Sequence, residues 1–170
     1  MDGNIFIRLI ADVMVIPIVL IAAWALIFKI PKGQRLQAYG RILMAGLTAY
    51  MLAKFIGYIY QPETLRPFEK LGVEAGASFL NNPGFPSDHA LFVTAIVCAV
   101  WCETRLKRTS VVLAIMVVAV CVGRVLALVH TPLDVIGGVL IALIGAVWYS
   151  SVPRKQKERS HGKSHQKRTE

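Results

Sequence analysis

Five long apolar runs separated by short polar stretches dominate the chain. Residues 13–28 carry no charge, and extending that run back to Ile5 adds only Arg8 and Asp12. Ile42 to Tyr60 is interrupted by Lys54 alone. Ala90 to Cys102 is uncharged but short, and lengthens back through His89. Ser110 to Gly123 is uncharged and is expected to continue past Arg124 to Val129. Val135 to Val152 is uncharged throughout. A helix needs about 20 mostly apolar residues to cross the hydrocarbon core. In lipid each segment must satisfy its own backbone, which a helix does. The pattern predicts an all-α, polytopic membrane bundle of about five transmembrane helices over residues 1–152.

The first run does not resemble a cleaved leader. It lacks a basic start, its apolar part is long, and Lys29-Ile30-Pro31-Lys32 is a poor small-residue cleavage site. It is expected to stay as a membrane helix, kinked at Pro17. Between Gln61 and Gly84 the chain is less apolar, and Pro62, Pro67 and Pro83 break long structure. A short surface helix fits between Thr64 and Leu80, with Leu71, Val73, Ala77 and Leu80 facing the bilayer interface. This stretch is expected to form a rim over any site on its side.

Composition agrees with the pattern. Hydrophobic residues make up 55% of the 170, and the mean hydropathy is +0.56, too apolar for an ordinary soluble domain of this size. Cys98, Cys102 and Cys121 lie inside apolar runs and imply helix packing, with no disulfide framework and no complete metal-binding pattern. The formal charge of +9 is concentrated in a tail over residues 153–170. Arg154 to Glu170 holds seven basic and two acidic residues, and its composition predicts disorder. Such a juxtamembrane tail fixes topology and touches anionic lipid. No nucleic-acid module is visible.

The charge also sets orientation, because Lys and Arg in short loops stay cytoplasmic. Lys29, Lys32, Arg35 and Arg41 follow the first run, Arg105, Lys107 and Arg108 the third, and the basic tail the fifth. These segments fall on one side of a five-helix path. The N-terminus, residues 61–87 and the turn around His130 then face outward. Arg66, Ser87, His89, Arg124 and His130 all land on that outer side.

Ionisable groups at membrane depth are costly and mark a functional site by default. Pro86-Ser87-Asp88-His89 opens the third helix. Ser or Asp there makes a good N-cap, and helix-start N–H groups also bind phosphate, but a cap does not require histidine. Arg124 precedes His130 by six residues, and Asp134 follows four later. Pro132 should end or bend the helix between them. Asp134 then either caps the next helix or accepts from one ring nitrogen of His130, leaving the other free to attack. Arg124 alone reads equally as a snorkelling interfacial arginine.

Together these residues resemble the type 2 phosphatidic acid phosphatase superfamily. Its motifs are Lys-(six residues)-Arg-Pro, Pro-Ser-Gly-His and Ser-Arg-(five residues)-His-(three residues)-Asp. The chain carries Arg66-Pro67, Pro86-Ser87-Asp88-His89 and Gly123-Arg124…His130…Asp134, in that order. The resemblance spans about residues 42–150 and implies a lipid phosphatase with catalytic His130, His89 and Asp134. His130 forms a phosphohistidine, Asp134 orients it, and His89 protonates the leaving oxygen. Arg66, Ser87 and Arg124 hold the phosphate oxygens, and no metal or other cofactor is implied. The implied partners are a lipid phosphate and the bilayer. Small members of the family point to a polyprenyl diphosphate, with phosphatidic acid and phosphatidylglycerol phosphate as competitors.

Four departures stand out. The family lysine falls at position 59, which here is Ile59. Lys54 either replaces it by a different loop path or snorkels. Gly123 stands for Ser and Asp88 for Gly. The family usually has six membrane helices against five here, as though the first were absent. Rival readings are a phospholipid-binding protein without hydrolysis, and a small transporter using Lys54, Arg124 and His130 as an ion path.

Overall fold

A computed structural model describes residues 2–80, 82 and 84–151; the basic tail and its boundary near 152 lie outside them. The helices are α1 (Asp2–Arg8), α2 (Val15–Lys29), α3 (Arg35–Ile59), α4 (Pro67–Leu71), α5 (Asp88–Glu103), α6 (Lys107–Leu126) and α7 (Pro132–Gly145), the last continued by a 3₁₀ stretch to Ser151. Among the described residues, four helical stretches are long and apolar enough to cross a membrane: Ile5–Lys29, Lys32–Ile59, Lys107–Leu126 and Pro132–Ser150. The third apolar run forms α5, whose 16 residues rise only about 24 Å at 1.5 Å each. It is the central helix, packed on α2, α3, α6 and α7.

The packing is that of a membrane protein. The buried positions are mostly small, among them Ala22, Ala25, Ala45, Ala49, Ala53 and Ala142, while Leu20, Phe28, Leu43, Phe55, Ile115 and Ile144 point outward. Lipid tails are as apolar as leucine, so large side chains gain nothing by turning inward, and small ones let helices approach closely. Gly138 marks one close crossing. A Cβ there would sit 2.6 Å from the Ser87 carbonyl oxygen and 3.0 Å from the Leu91 nitrogen.

The expected kink of the first helix lies upstream of Pro17. Residues Leu9–Val13 form a π turn, closed by Met14 N–H donating to the Leu9 carbonyl at 3.0 Å. Proline lacks the N–H that would bond Val13 four residues back, so the ladder adjusts just before it. The sixth helix stops at Leu126 rather than Val129, and Leu128 takes a left-handed φ of 58°. The expected surface helix exists as α4 and ends on Gly72, φ 64°, a left-handed cap that glycine adopts without cost. Ala77 does not face the interface. It is buried with Ala11, Ala127 and Val129.

At the end of the bundle remote from the motifs, Arg41 makes a two-pronged ion pair with Glu103, 2.7 and 2.8 Å. Lys29 stacks over Trp24 and Lys107 over Trp101, the pairing of cation and indole expected of an interfacial belt.

Candidate active site

The turn carrying His130 is stitched to its surroundings by main-chain bonds. Phe68 N–H donates to the Leu128 carbonyl at 3.0 Å, Gly76 N–H to Ala127 at 3.0 Å, and Ser87 N–H to Asp134 at 2.9 Å. Arg66 adds a side-chain bond, Nη1 to the Val129 carbonyl at 2.6 Å. The three motif segments therefore meet at one place, although α6 unwinds before reaching His130 and the helical spacing from Arg124 does not persist. His89 lies within electrostatic range of His130, Arg124, Asp12 and Asp88.

His130 is 5% exposed. Its Nδ1 stands 3.6 Å from Asp134 Oδ2 and makes no hydrogen bond, since 3.6 Å is beyond bonding reach. Asp134 Oδ2 instead accepts from Thr131 N–H at 2.7 Å, while Thr131 Oγ1 accepts from Asp134 N–H at 3.2 Å. This reciprocal cap begins α7. Asp134 thus caps its helix and also faces His130. Burial holds His130 below the ordinary histidine range, reinforced by the charges of Arg124 and Arg66 and opposed by Asp134. Burial therefore favours the neutral imidazole, the form that carries a lone pair.

Two buried arginines flank the turn. Arg66 spends its Nη2 on the Leu80 carbonyl and on Asn82 O and Oδ1, each 3.0 Å. Arg124 is 1% exposed. Its Nη1 donates to Asp12 Oδ1 at 2.7 Å and to the Ser78 carbonyl at 2.8 Å, while its Nε has no partner. Ser87 is fully buried and caps α5, its hydroxyl 3.5 Å from Ala90 N.

Sequence reasoning missed Asp12. It was visible only as a charge inside the first apolar run. The π turn presents it inward, where its second oxygen accepts from Ser78 N–H at 2.8 Å, tying the rim to α6. Gly123 explains how the helices come so close. A Cβ there would sit 2.9 Å from Ile10 Cγ2, 3.0 Å from Ala11 N and 3.2 Å from Ala11 Cα. Serine at this position would collide with the helix that brings Asp12 to Arg124.

Lys54, expected to replace a missing cation or to snorkel, donates to Asp88 at 2.9 and 3.3 Å. Lys70, the other nearby lysine, pairs with Glu63. An open cleft of about 430 Å³ lies beside the turn, lined by Arg66, Asn82, Gly84, Thr131 and Asp134 among others. The two histidines, Ser87 and Arg124 are not on its walls, so the candidate residues do not all line one cleft. Among the described residues no His, Cys, Asp and Glu side chains cluster in a way that would hold a metal ion.

The sequence profile of the PAP2 superfamily matches residues 34–158. The chain belongs to the PAP2 superfamily. That match leaves the first helix, and Asp12 with it, outside the family region. A curated relative from Escherichia coli strain K12, named "Putative undecaprenyl-diphosphatase YbjG", is 27% identical over 138 residues, covering 79% of this chain. The chain spans about two thirds of that relative's length, 65%. No solved structure gives a significant match. Membership makes the protein a multi-pass helical membrane protein of a phosphatase superfamily.

Proposed function

We propose that the protein hydrolyses a lipid phosphate or diphosphate at the outer face of a cell membrane, through a phosphohistidine on His130. The observation that carries this reading is a buried His130 on a turn bonded to both other motif segments, with two buried arginines beside it. The neutral imidazole supplies the lone pair that attacks phosphorus, and the bond from phosphorus to the leaving oxygen breaks. His89 donates a proton to that oxygen. Asp134 supports the positive charge that grows on the ring. The 3.6 Å gap shortens as that charge develops, since such bonds tighten only in the reacting complex. Water then attacks the phosphorus, the P–N bond breaks, and His89 takes the proton. Arg66, Arg124, Ser87 and the N–H groups at the start of α5 stabilise the equatorial oxygens. The arginines supply the positive charge, so no metal enters the reaction.

The best substrate is a polyprenyl diphosphate such as the undecaprenyl carrier, supported by the name of the E. coli relative. Phosphatidic acid and phosphatidylglycerol phosphate are the competing substrates. Orientation follows the basic loops, with the N-terminus outside and the C-terminus cytoplasmic. The test is phosphate release from a panel of these lipids in detergent, with chelator present. His130→Ala should lower turnover at least a thousandfold without unfolding the bundle, and Asp134→Asn should leave a small residual rate. Parent-like activity in His130→Ala defeats the covalent reading, and activity abolished by chelator defeats the metal-free one.

A further inference from the structure

Two departures from the family motifs, a lysine missing at position 59 and an aspartate in place of glycine at 88, meet in one contact. The Lys54 ammonium lies 2.9 Å from Asp88 Oδ1. Asp88 Oδ2 also accepts from Asn82 Nδ2 at 3.2 Å, and Asn82 Oδ1 accepts from Arg66 at 3.0 Å. A continuous polar chain therefore links Lys54 to Asp88, Asn82 and Arg66. It starts on α3, passes the residue before His89, and ends at the arginine that grips the Val129 carbonyl.

The placement of the pair gives the chain its meaning. Asn82 and Gln61 belong both to the cleft beside the His130 turn and to a neighbouring cavity of about 220 Å³. Lys54 and Asp88 belong to that cavity and to a further one of about 350 Å³, lined mainly by apolar residues such as Ala49, Leu91, Phe92 and Ala95. Lys54 stands where polar space turns apolar, as the phosphate of a lipid does. Its side chain keeps 45% of its exposure, and one carboxylate uses at most two of its three donors. Arg66 and Arg124, by contrast, are buried and spend part of their donors on internal acceptors.

Helix geometry accounts for the relocation. Position 59 lies five residues beyond Lys54, about 140° around α3 and about 7.5 Å along it. Ile59 is 62% exposed and lines none of these three cavities, so an apolar residue suits it. A lysine on the face of Lys54 reaches the site, and one at 59 does not.

We infer that Asp88 positions the Lys54 ammonium to bind an oxygen of the lipid phosphate, so that the two departures form one device. The inference rests on the phosphatase reading above, but its test does not need turnover. Inorganic phosphate is titrated calorimetrically into the purified full chain in detergent, alongside KM and kcat for a long-chain lipid phosphate and thermal midpoints. Lys54→Met should weaken phosphate binding and raise KM at least tenfold, with kcat changed less than threefold. Lys54→Arg should restore both to within about threefold. Asp88→Asn should weaken phosphate binding although it removes a negative charge, and should add little on top of Lys54→Met. Ile59→Lys should not rescue Lys54→Met, and Lys70→Met should match the parent. The inference is overturned by unchanged phosphate affinity in Lys54→Met, by tighter binding in Asp88→Asn, by rescue from Ile59→Lys, or by thermal losses in both variants with binding and KM unmoved. A parent that binds phosphate through Lys54 but releases none from lipids instead defeats the hydrolytic reading.

Discussion

Gly123→Ser would restore the residue that the family motif carries, yet the structure makes it a damaging change. Its Cβ would lie 2.9 Å from Ile10 Cγ2, 3.0 Å from Ala11 N and 3.2 Å from Ala11 Cα. The isoleucine methyl can turn aside, but the main chain of the π turn moves only if the whole helix moves. Overpacking of this kind costs about 1–3 kcal/mol. For a chain of this size each kcal/mol lowers the melting midpoint by about 2–4 °C. The displaced helix also carries Asp12, whose 2.7 Å bond to Arg124 is of the charge-assisted type worth about 1.5–3 kcal/mol. Losing half of that bond in the transition state lowers kcat/KM by about three- to tenfold, at 1.4 kcal/mol per tenfold. The assay pairs thermal unfolding in detergent with lipid phosphate hydrolysis. Gly123→Ala is the control, because it adds the same Cβ without the hydroxyl. Both variants should lose stability and rate together. A serine variant as stable and as fast as the parent would show that the first helix does not rest on this position, and the explanation of the missing hydroxyl would fall.

Asp12→Ala leaves the Arg124 guanidinium buried without its carboxylate, a loss of about 3–5 kcal/mol, whereas Asp12→Asn keeps an acceptor and should lose markedly less; equal melting midpoints for the two variants would contradict the pairing. In pH–rate profiles, the acid limb governed by His130 should be centred below 6.5, the ordinary histidine value, because burial resists its protonation; a limb centred at or above 6.5 contradicts that burial. The same shift acts on folding. As pH falls through 6.5 the unfolded chain takes up a proton that folded His130 refuses, so stability drops by up to about 1.4 kcal/mol per pH unit until the folded value is reached. A His130→Gln variant should lose that part of the slope.

The bundle was legible because membrane helices announce themselves by length and apolarity, and the runs predicted from residues 13–28, 42–60 and 135–152 reappear as helical stretches. The α5 helix was equally visible, but its short length made sense only once it proved central. Boundaries at turns were less legible. Nothing in the run from Ser110 to Val129 signals that the helix ends at Leu126, since Leu128 is no glycine. The stop is fixed by bonds from Phe68 and Gly76, which lie about fifty residues away in the chain. The motif segments were readable by type and spacing, and main-chain and Arg66 bonds hold them together. Their partners were not. Asp12 is separated from Arg124 by most of the chain, and only the pitch of a π turn aims it inward. Nothing in the sequence ties Asp88 to Lys54, 34 residues away in the chain.

The main-chain bonds around His130 have a consequence for how the protein is made. Helices can insert into a bilayer one at a time, each stable by its own hydrogen bonds. The His130 turn has no such independence, because its carbonyls wait for donors from residues 66–87 on the water side. The chain can therefore be fully threaded through the membrane and still lack a site. Forming the turn therefore takes a docking step beyond helix insertion, and a condition that delays that step would leave the helices inserted and the turn unformed.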